Sequence, residues 1–240
     1  MTSASELYSA MLAAIEDCDC VRQSADPESP MQNPTREATF SSTFMLEKPW
    51  LNVPQNRPID VKWAAANVLH FFARTEDAGI LRKYNKYADR FLTGDKLLGA
   101  YGPIAVPQIE RCIDLLTGSL YSRRAVVSMG ELGTQDINRP PCWSLLHFLY
   151  QDYKLHMAVY QRSLNLTGVM PYDCVLLTNV LFYAAHRLNV VVGYLYWTVG
   201  SLHAAGQVPE LKRNTVSSVV YSAETLRDPR LCMELLEAGL

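Results

Sequence analysis

The sequence predicts a single α+β domain spanning residues 1–240, a mixed β-sheet flanked by helices, on three observations. Short runs rich in β-branched and aromatic residues, "RRAVVSM", "CWSLLHFLY", "KLHMAVYQRS" and "VVVGYLYWTV", crowd the second half. A helical run from Tyr172 to Leu188 separates the last of these from the others. The chain is long and apolar enough for one core, at 240 residues and 49% hydrophobic, and no repeat, low-complexity tract or linker divides it.

Taken in order, residues 3–17 carry Leu7, Met11, Leu12 and Ile15 at helical spacing, so a helix opens the chain. Residues 22–38, polar and interrupted by Pro27, Pro30 and Pro34, read as a long connection. From Asp60 to Ala73, the residues Trp63, Ala66, Asn67, His70 and Phe71 share one helical face. Residues 82–102 are polar and aromatic without an assignable period, and Ile109, Cys112, Ile113 and Leu116 predict a helix over 107–117. At the end, "PRLCMELLEAGL" reads as an amphipathic helix with Leu231, Leu235 and Leu236.

A net charge of −2 gives no whole-chain reason to expect a polyanion or nucleic acid, although arginine clusters can still bind one phosphate. The cysteines are scattered, and "MTSASELYSAMLAAIEDC" places acids where a signal peptide would carry lysines, so a reducing cytoplasm is expected. The most apolar stretch is broken by Asp173, Asn179, His186, Arg187 and Asn189, well short of the roughly 20 apolar residues of a membrane span. A soluble protein is expected, with no membrane partner.

One cysteine stands out by position: Cys142 in "RPPCWSLLHF". Alone, a thiol in an apolar run is most often a small buried hydrophobe. Three arginine sites stand elsewhere: Arg36 in "NPTREATF", Arg123 with Arg124 in "YSRRAVVS", and Arg162 in "VYQRSLN". A guanidinium fork suits a phosphate and lowers a neighbouring thiol's pKa; taken singly, each arginine reads as a solvated charge.

The order of "SRRAVVS", "RPPCWSLLHFLYQDYKLHMAVYQRSLN", "MPYD", a long helix and "GYLYWTVGSLH" resembles the thymidylate synthase and pyrimidine hydroxymethylase family. The likeness is dense from Arg123 to His203, and Arg36, "WAAANVLHFFA" and "GAYG" follow the family's order upstream. It implies the thymidylate synthase-like fold and a homodimer through the sheet. It implies that Cys142 adds to C6 of a pyrimidine nucleotide, whose C5 then attacks the methylene of 5,10-methylenetetrahydrofolate. By the same resemblance Arg36, Arg162 and Ser163 hold the 5′-phosphate, and Arg123 and Arg124 reach across the dimer interface into the partner's site. Gln161 buttresses the nucleotide, His203 bonds the sugar hydroxyl, and Tyr101 orders proton transfer near C5. No metal is implied.

The choice of pyrimidine falls on the residue after "MPY". The synthases carry asparagine there, whose amide accepts from uracil N3–H and donates to O4; this chain has Asp173. A carboxyl group accepts from the N4 amine of cytosine and shares a proton with N3, and in the family aspartate here marks the deoxycytidylate hydroxymethylases, which bacteriophages use to modify cytosine. Asp173 also sits at a helix start, where the dipole favours an acid. At the synthases' "WxxWA" segment stands "YNKYA", with Tyr84 and Tyr87 at the tryptophan positions, a change that admits water as the final nucleophile and so favours a hydroxymethyl product. The amphipathic C-terminus, in place of a short apolar closing segment, points the same way.

Several positions depart from the family pattern. Asn67 stands at the catalytic glutamate, and an amide positions water but does not exchange a proton. Asn165 replaces the aspartate that grips the folate pterin, Trp143 the histidine after the cysteine, and Ala205 a tyrosine beyond His203. Folate-dependent hydroxymethylation of dCMP is the leading expectation. A methyl-forming dCMP relative, a dUMP or CMP hydroxymethylase, and a catalytically silent nucleotide-binding homologue stand beside it.

Overall fold

The β-rich runs assemble into one six-stranded mixed sheet. The computed structural model describes residues 2–17, 35–38, 42–85, 88–97, 100–130, 141–205 and 216–239. Helix α1 (Ala4–Glu16) is followed by β1 (Thr35–Ala38), β2 (Ser42–Leu46) and α2 (Val61–Phe72). Two short 3₁₀ turns and a two-residue hairpin, β3 (Leu92–Thr93) with β4 (Lys96–Leu97), lead to α3 (Tyr101–Gly118). Then come β5 (Val126–Ser128), β6 (Trp143–Gln151), β7 (Lys154–Asn165), α4 (Met170–Arg187), β8 (Val191–Ala205), α5 (Ala223–Arg227) and α6 (Pro229–Ala238).

The strand order is β1-β8-β7-β6-β5, with β2 beside β8 ahead of β1. β6 and β7 form a hairpin through Asp152 and Tyr153, both at positive φ, as a two-residue turn matched to strand twist requires. β7 and β8 run parallel, which needs a crossover, and α4 is that crossover. α4 packs on β7 and β8, and α3 on β5. The alternation of the strands, shifted once in β6 by a bulge between Trp143 and Leu145, buries Trp143, Leu146 and Phe148 of β6, Met157, Val159 and Gln161 of β7, and Leu195 and Trp197 of β8. The opposite face leaves Val126, Leu145, Tyr160 and Tyr196 exposed.

Sequence logic sets the helix starts. Ser3 and Glu6 close a capping box on α1, and the Asp60 side chain accepts from Trp63 N–H at 3.0 Å to start α2. α3 begins at Tyr101, six residues ahead of the periodic pattern, and contains Pro107. The period is obscured there because Gly102, Pro103 and Pro107 are poor helix formers. Packing compensates: a Cβ on Gly102 would lie 2.2 Å from the Phe71 carbonyl oxygen, so α3 starts directly against the end of α2. Residues 35–38, expected as loop, form β1, because pairing of Thr35 with Ala205 and Ala38 with Leu202 is a long-range event that local propensity does not encode. The rest of that expected loop, Tyr87, Cys18 and Cys20 lie outside the described residues. Cys112, Cys142, Cys174 and Cys232 are free thiols. Among the described residues no helix is long and apolar enough to cross a membrane.

Candidate active site

Cys142 occupies the bend that enters β6, half-buried. Two bonds from Arg162 pin this bend to β7: the backbone N–H donates to the Cys142 carbonyl at 2.8 Å, and Nε donates to the Pro141 carbonyl at 3.1 Å. A third comes from α3. The Tyr101 hydroxyl accepts the Cys142 backbone N–H at 3.1 Å, and its ring lies on Trp143 with centroids 4.3 Å apart and planes 6° apart. Trp143 also leans on Phe71 of α2, 6.0 Å between centroids.

Behind the stack lies a buried polar chain. Trp197 Nε1 donates to Gln161 Oε1 at 3.0 Å, fixing the amide so that its Nε2 faces Asp173 Oδ2 at 2.9 Å and the Ser163 carbonyl at 3.0 Å. The Trp143 indole N–H approaches the same Oδ2 at 3.4 Å. Gln161 comes from β7, Trp197 from β8, Trp143 from β6 and Asp173 from the first turn of α4, so the sheet register and the crossover together bring the four into contact.

Burial dominates the electrostatics. It raises the Asp173 carboxyl from 3.8 to about 6, against the hydrogen bonds from Gln161 and Trp143 that favour the charged form. It also raises the Cys142 thiol; the Arg162 charge opposes that rise, the Asp173 charge adds to it, and a bond from Tyr101 favours the thiolate. The Tyr101 phenol is pushed well above its ordinary value by burial and by the Cys142 and Asp173 charges, so it remains protonated through the working range. The arrangement thus pairs a half-buried thiol with an adjacent cation, a permanent phenol donor and a carboxyl that changes charge near neutrality, chemistry suited to nucleophilic addition to a polarised ring.

The residues singled out in the sequence divide into groups. Cys142, Tyr101, Gln161, Arg162 and Asp173 converge. Ser163 and His203 follow along the same strands, Ser163 paired with Ser201 and His203 with Asn165. Arg36 pairs with Ala204 across the β1–β8 edge. Asn67 turns its amide onto its own helix, donating to the Trp63 carbonyl at 2.7 Å. The Tyr84 hydroxyl donates to the Leu236 carbonyl of α6. Asn165 Oδ1 accepts from Thr167 N at 3.1 Å, Thr167 Oγ1 at 2.9 Å and Gly168 N at 3.1 Å, closing the turn after β7.

Arg123 and Arg124 are exposed. The Arg123 carbonyl meets His147, five residues along β6 from Cys142 and so about 17 Å away. A surface cavity of about 490 Å³ beside Arg123, walled by Tyr121, Tyr150 and Asp152, belongs to this far end and not to the thiol cluster. Sequence reasoning noted Trp143 only as the replacement of a histidine beside the cysteine and assigned no role to Trp197. Each lay inside a quoted segment, but only strand register reveals that both indoles point into the Gln161–Asp173 chain.

Among known proteins, the family model described as "Thymidylate synthase" matches residues 38–217. A thymidylate synthase of Buchnera aphidicola subsp. Baizongia pistaciae (strain Bp) is 32% identical over 101 residues, covering 41% of this chain and 38% of that protein. The alignment thus spans well under two thirds of that relative's length.

Proposed function

The chain belongs to the thymidylate synthase family, and on that premise we propose that it carries a one-carbon unit from 5,10-methylenetetrahydrofolate to C5 of dCMP, with water completing a 5-hydroxymethyl group. The observation that carries this reading is Asp173, a buried carboxyl held at about 6 beside the thiol. Near neutrality such a group gives or shares one proton, which suits N3 of cytosine, an acceptor, better than N3–H of uracil, a donor.

The chain's own groups perform definable tasks in this scheme. Cys142 adds through sulfur to C6, and the Tyr101 hydroxyl and the Arg162 charge favour its thiolate. Sharing a proton between Asp173 and N3 polarises the ring towards that addition. It also neutralises the Asp173 charge, which opposes ionisation of Cys142, so base binding and thiol activation reinforce each other. C5 attacks the methylene carbon of the folate and loses its hydrogen as a proton; the methylene–nitrogen bond breaks and tetrahydrofolate leaves, water adds to the exocyclic methylene, and expulsion of the Cys142 thiolate from C6 restores the ring. Arg162 holds the Cys142 bend and Ser163 follows it on β7, and with Arg36 and His203 they are assigned to phosphate and sugar.

Two residues are assigned to the folate, Asn165 to the pterin and Tyr84 to the segment that covers the transferred methylene, and both are engaged within the protein. Asn165 has its carbonyl oxygen filled by the turn, leaving only its amide N–H groups to offer a pterin, and the Tyr84 hydroxyl is held by α6. No step of the scheme runs through either.

Homodimerisation is part of the proposal. The exposed Val126, Leu145, Tyr160 and Tyr196 give the sheet an apolar face of the kind that marks an interface, and the single domain of residues 1–240 would pair through it. Arg123 and Arg124, remote from their own Cys142, are then available to the partner's phosphate. A cytoplasmic location, in a phage-infected bacterial host, completes the reading.

The second reading, a silent nucleotide-binding homologue, is favoured by one observation: Asn67 stands in place of the family's acid and bonds its own helix. The experiment separates them. Protein is incubated with methylenetetrahydrofolate and dCMP, dUMP or CMP tritiated at C5, and tritium release and product mass are followed. Release from dCMP with a hydroxymethyl product supports the proposal, and a methyl product or preference for dUMP or CMP overturns its specificity. Nucleotide binding with no release supports the silent homologue.

A further inference from the structure

We infer that Trp143 is a positioning residue that holds Oδ2 of Asp173, leaving Oδ1 to carry the acid proton and meet the ligand. The inference rests on the reading of Asp173 as the group that faces the base. A carboxyl oxygen offers two in-plane lone pairs, and both on Oδ2 face N–H donors, Gln161 Nε2 at 2.9 Å and Trp143 Nε1 at 3.4 Å. Neither donor is free to turn away. The Gln161 amide cannot flip without facing its own N–H₂ towards the Trp197 indole N–H, which donates to its oxygen. The Trp143 ring is fully buried and clamped between Tyr101 and Phe71.

Among the described residues no donor reaches Oδ1. When Asp173 is neutral, a proton on Oδ2 would point at one of two N–H groups, so it resides on Oδ1. A single oxygen then reads a single ring atom: as O–H it donates to an acceptor such as cytosine N3, and as O⁻ it accepts from a donor such as uracil N3–H. An asparagine at this position would keep one sense only; the aspartate changes sense with pH, and Trp143 confines the change to Oδ1. Trp143 touches both Tyr101 and Asp173, so one side chain aligns the phenol beside the thiol with the carboxyl beside the base.

The contact is tested in the wild-type protein by following each indole ¹⁵N–¹H signal and the Asp173 ¹³Cγ signal from pH 4.5 to 8. The Trp143 signal is assigned by its absence from Trp143→Phe. It is expected to titrate with the Asp173 midpoint and to become flat in Asp173→Asn; a flat Trp143 signal in wild type while Asp173 titrates overturns the inference. Nucleotide binding provides the second readout. Loss of an N–H donor to the carboxylate disfavours the charged form, so in Trp143→Phe the fall of dCMP affinity with pH should begin higher, by half a pH unit or more, about threefold in affinity on the falling limb. An unmoved limb overturns the inference and leaves the dCMP reading intact. Absence of any such limb in wild type overturns the dCMP reading instead, and the indole titration then decides the role of Trp143 by itself.

Discussion

The Tyr101 hydroxyl accepts the backbone N–H of Cys142 at 3.1 Å, so the first residue of α3 anchors the thiol's own main chain. The bond fixes the Cys142 bend from the helix side, as Arg162 fixes it from the strand side. Tyr101→Phe removes it and strands a half-buried N–H, at a cost of about 1–3 kcal/mol. Thermal unfolding should register that loss. Tritium release from C5 should fall by about 10²-fold or more, because a donor to the thiolate is lost as well. A variant with wild-type release would remove Tyr101 from the chemistry.

Nucleotide binding should depend on pH through Asp173. One proton must lie between Asp173 and cytosine N3, so dCMP affinity is expected to be greatest just below about pH 6 and to weaken about tenfold per pH unit above it. dUMP, which presents N3–H, should do the reverse and weaken as the pH falls through 6. Calorimetric titrations at several pH values with both nucleotides check this, and parallel profiles would contradict it.

Asp173 should also cost the fold stability at neutral pH. Its carboxyl is raised from 3.8 to about 6 in the folded protein, so its contribution is fully present below pH 3.8 and is lost as pH rises through 6. Asp173→Asn should therefore stabilise the protein by up to about 3 kcal/mol at pH 7.5 and by almost nothing at pH 3.5. The same variant should shift nucleotide preference towards dUMP. Denaturant unfolding at the two pH values separates the effect from a general change in packing.

Gly102→Ala should unseat the site from a distance. The added Cβ would meet the Phe71 carbonyl oxygen at 2.2 Å, a backbone atom that cannot swing aside, so α3 must shift and carry Tyr101 with it. A loss of about 2–4 kcal/mol with reduced tritium release is expected. Gly118→Ala, at the other end of α3 with nothing within 4 Å of the added carbon, is the control.

The sequence by itself determined the elements whose pattern is local: α1, α2, the core of α4, α6 and the apolar strands β6 to β8, where periodicity follows directly from one buried face. Likeness of its ordered motifs to the thymidylate synthase family also singled out Cys142, Arg162, Gln161, Asp173 and Tyr101. The start of α3 and the strand β1 were hidden, since packing against Phe71 and pairing with β8 outweigh weak local propensity. Tertiary structure alone decided which atoms meet. Register between β6 and β7 sets Trp143 opposite Gln161, and the α4 crossover lowers Asp173 onto both. A carboxyl's oxygens are equivalent in a sequence; they become distinct only when two N–H donors, brought from separate strands, converge on one of them.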